Sequence, residues 1–280
     1  MKPKNKILSF NGVSTGTAFW VIVLVAATTW SLTAGNEGTA AESGWRSLPL
    51  VTGGKVDPSW IHVGWGGFLV DDGALRTAPD PRGLGLLVYT KERFGNCQIR
   101  VVFKVKDDKS NAGVYVRLAD GILDRATTPG PAFDRDAKGK MSPESMERVK
   151  AAAEREEGPW FAVHQGYEVQ ILASGDAWHR TGAIYSLAPA TGQSRKAPGE
   201  WQTMIITLAG ERITVNLDGE DISEFDPTSP DVRPRKEWYE PKREPKRPEA
   251  GYLGLQNHDP GELVWYKEVS VRPLPPTVRK

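Results

Sequence analysis

Three short segments of the sequence, residues 113–118, 167–171 and 253–258, carry polar side chains that could transfer protons and bind sugars. In each segment polar residues alternate with smaller or apolar ones, and the polar members are Tyr115 and Arg117, then Glu168 and Gln170, then Gln256 and His258. A β-strand turns alternate side chains to the same face, so each segment presents a polar pair. Carboxylate and imidazole groups transfer protons, while guanidinium and amide groups bind hydroxyl and carbonyl groups.

An alternative interpretation is that these side chains only meet water, because one face of an antiparallel sheet is normally solvated. A solvated face would contain mainly Lys, Glu, Thr and Ser in mixed order. These strands instead carry Arg, Glu, Gln, His and Tyr. The composition therefore favours a groove for sugar binding or catalysis, and the solvated face stays open as the alternative.

The elements that must position these residues are short strands. Ile99, Val101, Phe103 and Val105 alternate with polar residues, and comparable patterns occur at residues 68–70, 74–76, 84–89, 113–118, 167–172, 182–185, 201–208, 212–217, 251–257 and 264–272. The pairs Asp72-Gly73 and Asp218-Gly219 are typical of hairpin turns. Many short strands without intervening helices predict an antiparallel β-sandwich.

Two segments interrupt the strand pattern, and we treat both as insertions. Residues 119–163 contain a helix signal, with Ser142 as N-cap, Pro143 at the first helical position and helix-forming sequence to Glu157. We expect this helix to lie on the surface. Residues 227–250 contain six prolines and alternating charges, which predict a solvated loop or a semi-rigid arm.

The charge balance and the amino terminus bear on partners and location. The chain has 280 residues, with 36 Lys and Arg against 35 Asp and Glu, so it lacks the basic surplus that nucleic-acid binding requires. Three lysines precede an apolar run at residues 18–32, which predicts a signal peptide over residues 1–41. We expect an extracytoplasmic protein, periplasmic or secreted. The alternative is an uncleaved membrane anchor. Cys97 is the only cysteine, which excludes an internal disulfide.

Several strings of the sequence resemble signature blocks of the 3-keto-disaccharide hydrolase domain family. They are Ser110-Asn111-Ala112-Gly113-Val114-Tyr115-Val116-Arg117, Gly166-Tyr167-Glu168-Val169-Gln170-Ile171-Leu172 and Gly251-Tyr252-Leu253-Gly254-Leu255-Gln256-Asn257-His258-Asp259. The resemblance covers residues 57–273. It implies an all-β, concanavalin A-like jelly-roll β-sandwich whose concave sheet binds sugar, and action on 3-keto-glycosides.

The chemistry implied by the resemblance begins at a ketone on C3, which acidifies the hydrogen on C2. A base removes that proton, the C1 substituent is eliminated, and water then adds. Glu168 is the candidate base, and Arg117 or His258 would stabilise the enolate oxygen. The predicted substrate-binding residues are Asn111, Tyr115, Gln170 and Gln256. For His258, a role as the base and a structural role in the following turn also stay open.

Other functions remain as alternatives. No cofactor is implied, although Glu168 and His258 could serve as ligands of a divalent metal. A non-catalytic carbohydrate-binding module would use the same groove, with Trp and Tyr rings stacking on a sugar. A glycosidase of the laminarinase type needs two carboxylates on one strand face, and the Glu168 strand offers only one. We therefore expect a sugar to be the partner of this groove.

Overall fold

The computed structural model describes residues 44–230 and 232–274, so the predicted signal segment lies outside the described residues. The strands are β1 (Arg46–Ser47), β2 (Val51–Thr52), β3 (Lys55–Val56), β4 (Trp60–Gly64), β5 (Gly67–Asp71), β6 (Ala74–Ala78), β7 (Gly85–Phe94), β8 (Cys97–Val105), β9 (Ala112–Leu118), β10 (Tyr167–Ile171), β11 (Gln202–Ala209), β12 (Arg212–Leu217), β13 (Glu220–Phe225), β14 (Gly251–Asn257) and β15 (Val264–Pro273). The helices are α1 (Pro143–Glu154), α2 (Trp160–Gln165) and a 3₁₀ helix, Asp120–Arg125.

The strands form two large antiparallel sheets that face each other across one core. One sheet runs β13-β12-β11-β8-β15-β6-β5, with β1 added beside β15, and the other runs β10-β9-β14-β7-β4. Ile99, Val101 and Phe103 on β8 and Val114 on β9 are fully buried between the sheets. This arrangement confirms the predicted all-β, jelly-roll sandwich, because the alternating apolar residues of both sheets meet in the middle.

The Asp-Gly pairs behave as the sequence predicts. Asp72 and Gly73 have φ angles of 49° and 73°, and Asp218 and Gly219 have φ angles of 51° and 93°. Each pair joins two hydrogen-bonded antiparallel strands, β5 to β6 and β12 to β13. Positive φ at both central residues is the geometry of a type I′ hairpin turn. The strand predicted at 182–185 is wrong, since that segment makes only isolated bridges through Ile184.

A second apolar cluster covers the outer face of the five-stranded sheet. Leu86 and Val88 of β7 pack there against Val149 of α1 and against Trp160 and Phe161 of α2. The predicted cap of α1 is confirmed, because Ser142 accepts a hydrogen bond from the Ser145 backbone at 3.1 Å. The helix ends at Glu154 and is less exposed than expected, since its inner side completes this cluster.

The proline-rich segment, residues 227–250, contains no regular helix or strand in its described part. Of the two predicted possibilities, the structure favours the semi-rigid arm, although five charged residues between Lys236 and Glu249 remain exposed. Glu240 is 1% exposed and pairs with Arg233 and Arg243, and Arg247 is buried as well. Part of the interleaved charge is therefore paired in the folded arm instead of facing water. Among the described residues, no helix has the length and apolar character needed to cross a membrane.

Candidate active site

Three adjacent strands of the five-stranded sheet, β10, β9 and β14, position the polar groups. Glu168 lies directly opposite Tyr115 in the β10–β9 register, and β14 pairs with the other side of β9. The Tyr115 hydroxyl donates to Glu168 Oε2 at 2.6 Å, and Gln256 Nε2 donates to the Tyr115 hydroxyl at 3.3 Å. Side chains from three strands thus form one chain of hydrogen bonds that ends on a carboxylate.

Gly113 makes the space that the carboxylate occupies. A Cβ atom built on Gly113 would lie 2.3 Å from Glu168 Oε1 and 2.7 Å from Glu168 Cγ. No side chain larger than hydrogen fits beside the carboxylate without moving it. The glycine in the Asn111-Ala112-Gly113 string therefore has a positional role in the site.

Burial dominates the electrostatics of Glu168, whose residue is 8% exposed. Loss of water around the carboxylate raises its pKa from 4.5 to about 7, while the hydrogen bond from Tyr115 and the charge of His258 act in the opposite direction. A carboxyl group with this pKa exchanges its proton readily near neutral pH. The same surroundings hold the pKa of the Tyr115 hydroxyl well above its ordinary value, because it is buried and next to Glu168.

His258 lies at the carboxyl-terminal end of β14 and is half-buried. Its Nδ1 is 2.9 Å from Glu262 Oε2. Burial alone would lower the pKa of this imidazole, but the hydrogen bond to Glu262 and the charges of Asp259, Glu262 and Glu168 raise it overall. The site therefore combines a carboxyl group that can accept a proton with an imidazole whose pKa is raised by its acidic neighbours.

These groups share one cavity of about 200 Å³. We use the name floor for five of its polar residues, namely Asn111, Glu168, Gln170, Gln256 and His258. Asn111 Oδ1 and Gln256 Oε1 are buried and have no hydrogen-bond partner among the described residues. Buried acceptors are normally satisfied, so these two oxygens are available to hydroxyl groups of a bound molecule. Gln170 Oε1, in contrast, accepts from the Ile171 backbone at 3.1 Å.

The structure brings most of the predicted site residues together and corrects two of the predictions. The five floor residues line one cavity, as the strand alternation predicts. Tyr115 was expected to touch the substrate, but it is 1% exposed and its hydroxyl is occupied by Glu168. Tyr115 is therefore a positioning residue that lies beneath the carboxylate.

Arg117 is the second correction, since its side chain lies on the other side of the sheet. Its backbone is left-handed, with φ of 53°, and the β14–β9 register shifts by one residue at this point. The bulge reverses the alternation, so Leu118 joins the outer cluster, and the Arg117 guanidinium donates to the carbonyl oxygens of Gly210 and Glu211. Arg117 lines a different cavity and is not available to a substrate on the floor.

The two insertions build much of the rest of the cavity. We call residues 119–163 and 227–250 together the clasp, and its apolar lining residues the wall, namely Phe133, Met141, Trp160, Val163 and Trp238. Val163 ends the first segment. Arg135 and Tyr239 add the polar groups of the clasp that reach the cavity. The 119–163 insertion narrows the groove, and the contribution of Trp238 and Tyr239 was not predicted.

Contacts between its two segments hold the clasp closed. Arg235 pairs with Glu154 at 2.6 Å and Lys242 pairs with Glu156 at 3.0 Å. The rings of Trp160 and Trp238 pack with their centroids 5.4 Å apart. These contacts join helix α1 and the segment before α2 to the proline-rich arm, so the wall is fixed from both sides.

Tyr185, which also lines the cavity, was not predicted as a site residue. A chain of hydrogen bonds holds its loop, because His179 contacts Asp176 Oδ1 through Nδ1 and Ser186 Oγ through Nε2, each at 2.9 Å. The rings of His179 and Tyr185 are 5.1 Å apart. Ser186 is fully buried, so this serine, histidine and aspartate set supports the loop and is closed to a substrate.

Within the part of the chain that the structure describes, one group of side chains could hold a metal ion. The ligand atoms of His258, Asp259 and Glu262 all lie within 4.8 Å of one another. However, Arg135 Nη2 donates to Asp259 Oδ1 at 3.0 Å, and His258 already contacts Glu262. A divalent cation at this position would compete with the Arg135 guanidinium for the charge of Asp259. The pair anticipated from sequence, Glu168 and His258, shares the cavity, but Glu168 contacts Tyr115 and belongs to a different group of hydrogen bonds.

Comparisons with known proteins identify a family and similar folds. A family model described as the 3-keto-alpha-glucoside-1,2-lyase-like domain matches residues 35–272. No curated protein matches the sequence. Among solved structures, a candidate glycosyl hydrolase from Parabacteroides distasonis ATCC 8503 is 23% identical, covers 82% of this chain and 99% of its own, and gives a TM-score of 0.52. A second candidate glycosyl hydrolase from the same organism is 18% identical. The match covers 83% of this chain and 94% of the other, with a TM-score of 0.53. At these identities the two structures support the fold.

Proposed function

The chain belongs to the 3-keto-alpha-glucoside-1,2-lyase-like domain family, a carbohydrate-related, hydrolase-like family, and from this premise we propose that it cleaves 3-keto-glycosides by elimination. The observation that carries the proposal is the buried Glu168 carboxyl group, which shares a cavity with His258 and has a pKa of about 7. A group with this pKa is a suitable base for a carbon acid at neutral pH.

The first step transfers the C2 proton of the keto-sugar to Glu168. The electrons of the C2–H bond form a C2–C3 double bond, and O3 becomes negative. Glu168 Oε1 is the oxygen that faces this proton, because Oε2 accepts the hydrogen bond from Tyr115. Cationic His258, held by Glu262, stabilises the charge on O3, which is the role that Arg117 cannot take.

The second step expels the substituent on C1. The C3 carbonyl re-forms, the C2–C3 electrons shift to a C1–C2 double bond, and the C1–O bond breaks, with the leaving oxygen taking a proton from water. The hydroxide ion that remains then adds to C1, and protonated Glu168 returns its proton to C2, which gives the free 3-keto-sugar and restores the carboxylate. The Asn111 and Gln256 oxygens, which have no protein partner, accept sugar hydroxyls and orient the ring.

The test is to incubate the purified protein with 3-keto-trehalose and with unoxidised trehalose and to measure released glucose. We expect turnover of the keto-sugar only, because unoxidised trehalose lacks the acidic C2 hydrogen. Glu168→Gln should abolish turnover, whereas the control Glu92→Gln, at a partly exposed glutamate that pairs with Arg46 and does not line the cavity, should leave it unchanged. Binding of unoxidised sugars with no turnover of any keto-sugar would refute the proposal and support a carbohydrate-binding module.

A further inference from the structure

The cavity has two chemically different halves, and they come from different parts of the chain. The floor presents a carboxyl group, an imidazole and three amides from the sheet and its adjoining loops, whereas the wall presents aromatic and aliphatic side chains from the clasp. A keto-sugar matches the floor, because each of its oxygen atoms needs a hydrogen-bond partner. The group attached at C1 must then lie toward the wall.

The size of the cavity separates the two parts of a substrate. About 200 Å³ is less than the roughly 300–1,000 Å³ of sites that enclose a drug-sized ligand, so the enclosed space suits one sugar ring. The leaving group therefore lies at the mouth. Trp238 and Phe133 are half-buried there, and Tyr239 is 38% exposed, as expected for rings that border an opening.

Arg135, the charged side chain of the clasp at the cavity, is largely occupied already. Its Nη atoms donate to Asp259 at 3.0 Å and to the Gly139 carbonyl at 3.1 Å, which leaves its buried Nε without a partner among the described residues. A second sugar at this position would bring several hydroxyl groups against Phe133, Met141 and Trp238, where they would lose water without gaining partners. A planar apolar group would instead stack on the rings.

We infer that this site selects 3-keto-glucosides whose leaving group is apolar and aromatic, such as an arylalkyl alcohol, over 3-keto-disaccharides. The inference rests on the proposed function and adds the class of aglycone. The ion pairs between Arg235 and Glu154 and between Lys242 and Glu156 hold Trp238 in place, so the stacking surface is formed before the substrate arrives.

The test compares 2-phenylethyl and ethyl 3-keto-α-glucosides, because their leaving alcohols have similar acidity and differ in the aromatic ring. We expect kcat/KM to be at least about ten-fold higher for the 2-phenylethyl compound, as is typical of a ring that gains an apolar pocket. It should also exceed kcat/KM for 3-keto-trehalose. Trp238→Ala should lower the 2-phenylethyl to ethyl ratio about ten-fold, and Phe133→Leu should lower it in the same direction.

The control variant is Trp201→Ala, which removes a half-buried tryptophan on the opposite sheet, between Lys104 and Lys267, and should leave the ratio unchanged. Turnover of the ethyl compound reports that each variant is folded. Equal rates for both alkyl compounds, a preference for 3-keto-trehalose, or an unchanged ratio in both Trp238→Ala and Phe133→Leu would overturn the inference while the proposed function stands. If no 3-keto-glucoside is cleaved, the proposed function fails first.

Discussion

Replacing Tyr115 by phenylalanine tests whether its hydroxyl keeps Glu168 ionised near neutral pH. The hydroxyl donates to Glu168 Oε2 at 2.6 Å, and this hydrogen bond opposes the burial that raises the pKa of Glu168 to about 7. A hydrogen bond to a charged group contributes about 1.5–3 kcal/mol, and about 1.4 kcal/mol corresponds to a change of one in pKa. In Tyr115→Phe the pKa of Glu168 should therefore rise to about 8–9.

The expected result is a pH-dependent loss of activity. Near pH 7 about half of the wild-type carboxyl groups are ionised, but only about 1–10% are in the variant, so kcat/KM should fall about 5- to 50-fold. The assay is the pH profile of kcat/KM with 3-keto-trehalose between about pH 5 and pH 10, because this profile reports the pKa of the free enzyme's base. Near the alkaline end the variant should recover to within about two-fold of the wild type.

A matched control is Tyr89→Phe, which removes a hydroxyl from the core, where the Tyr89 ring packs 5.1 Å from Trp60, away from the cavity. This variant should keep the wild-type profile. If the acidic limb of the kcat/KM profile lies at the same pH in Tyr115→Phe as in the wild type, the reasoning is refuted. A loss by the same factor at every pH would do so as well, because it would mean that the hydroxyl does not act through the ionisation of Glu168.

Three further substitutions give distinct outcomes. The pKa of the Glu168 carboxyl is 4.5 in the unfolded chain and about 7 in the folded protein. The free energy of unfolding of the wild type should therefore fall by about 3 kcal/mol as the pH rises from the lower value to the higher. Glu168→Gln should therefore raise Tm near pH 8 but not near pH 4.5, and equal melting curves at the higher pH would contradict this. Gly113→Ala puts a Cβ 2.3 Å from Glu168 Oε1 and should lower kcat at least about ten-fold. Gly67→Ala is its control, because a Cβ added at Gly67 would contact nothing within 4 Å. Full activity in Gly113→Ala would show that the carboxylate can occupy another position. Arg117→Met should keep kcat/KM within about two-fold of the wild type. Denaturant unfolding should show that the free energy of unfolding falls by about 1–3 kcal/mol, because only the hydrogen bonds to Gly210 and Glu211 disappear. A large loss of kcat at unchanged stability would mean that Arg117 does act in the site.

Much of the floor could be predicted from sequence, because alternation within a strand does not depend on distant contacts. Glu168 and Gln170 on β10, and Gln256 near the end of β14, project to one side as their spacing requires. The same rule failed at Arg117, where a left-handed residue reverses the alternation. Arginine is not a residue that usually marks this conformation, so the sequence gives no local sign of the bulge.

The wall could not be predicted, because it depends on contacts between segments that are far apart along the chain. In the sequence, the charges near Arg235 and Lys242 indicate a solvated loop, because their partners, Glu154 and Glu156, are recognised only in the folded structure. Helix α2 was missed for a related reason. Its six residues form a short apolar run, and such a run does not distinguish a helix from a buried strand.

The division between floor and clasp has a consequence for redesign and for divergence among related proteins. In the proposed reaction, bond breaking depends on the sheet, whereas the inferred choice of leaving group depends on two appended stretches that touch each other through Glu154 and Arg235. Grafting only one stretch from a relative would leave Glu154 or Arg235 without its ion-pair partner and would weaken the contact that holds the two segments of the clasp together. The two stretches should therefore be exchanged as a pair, as a single cassette that retargets the catalyst without disturbing its reaction.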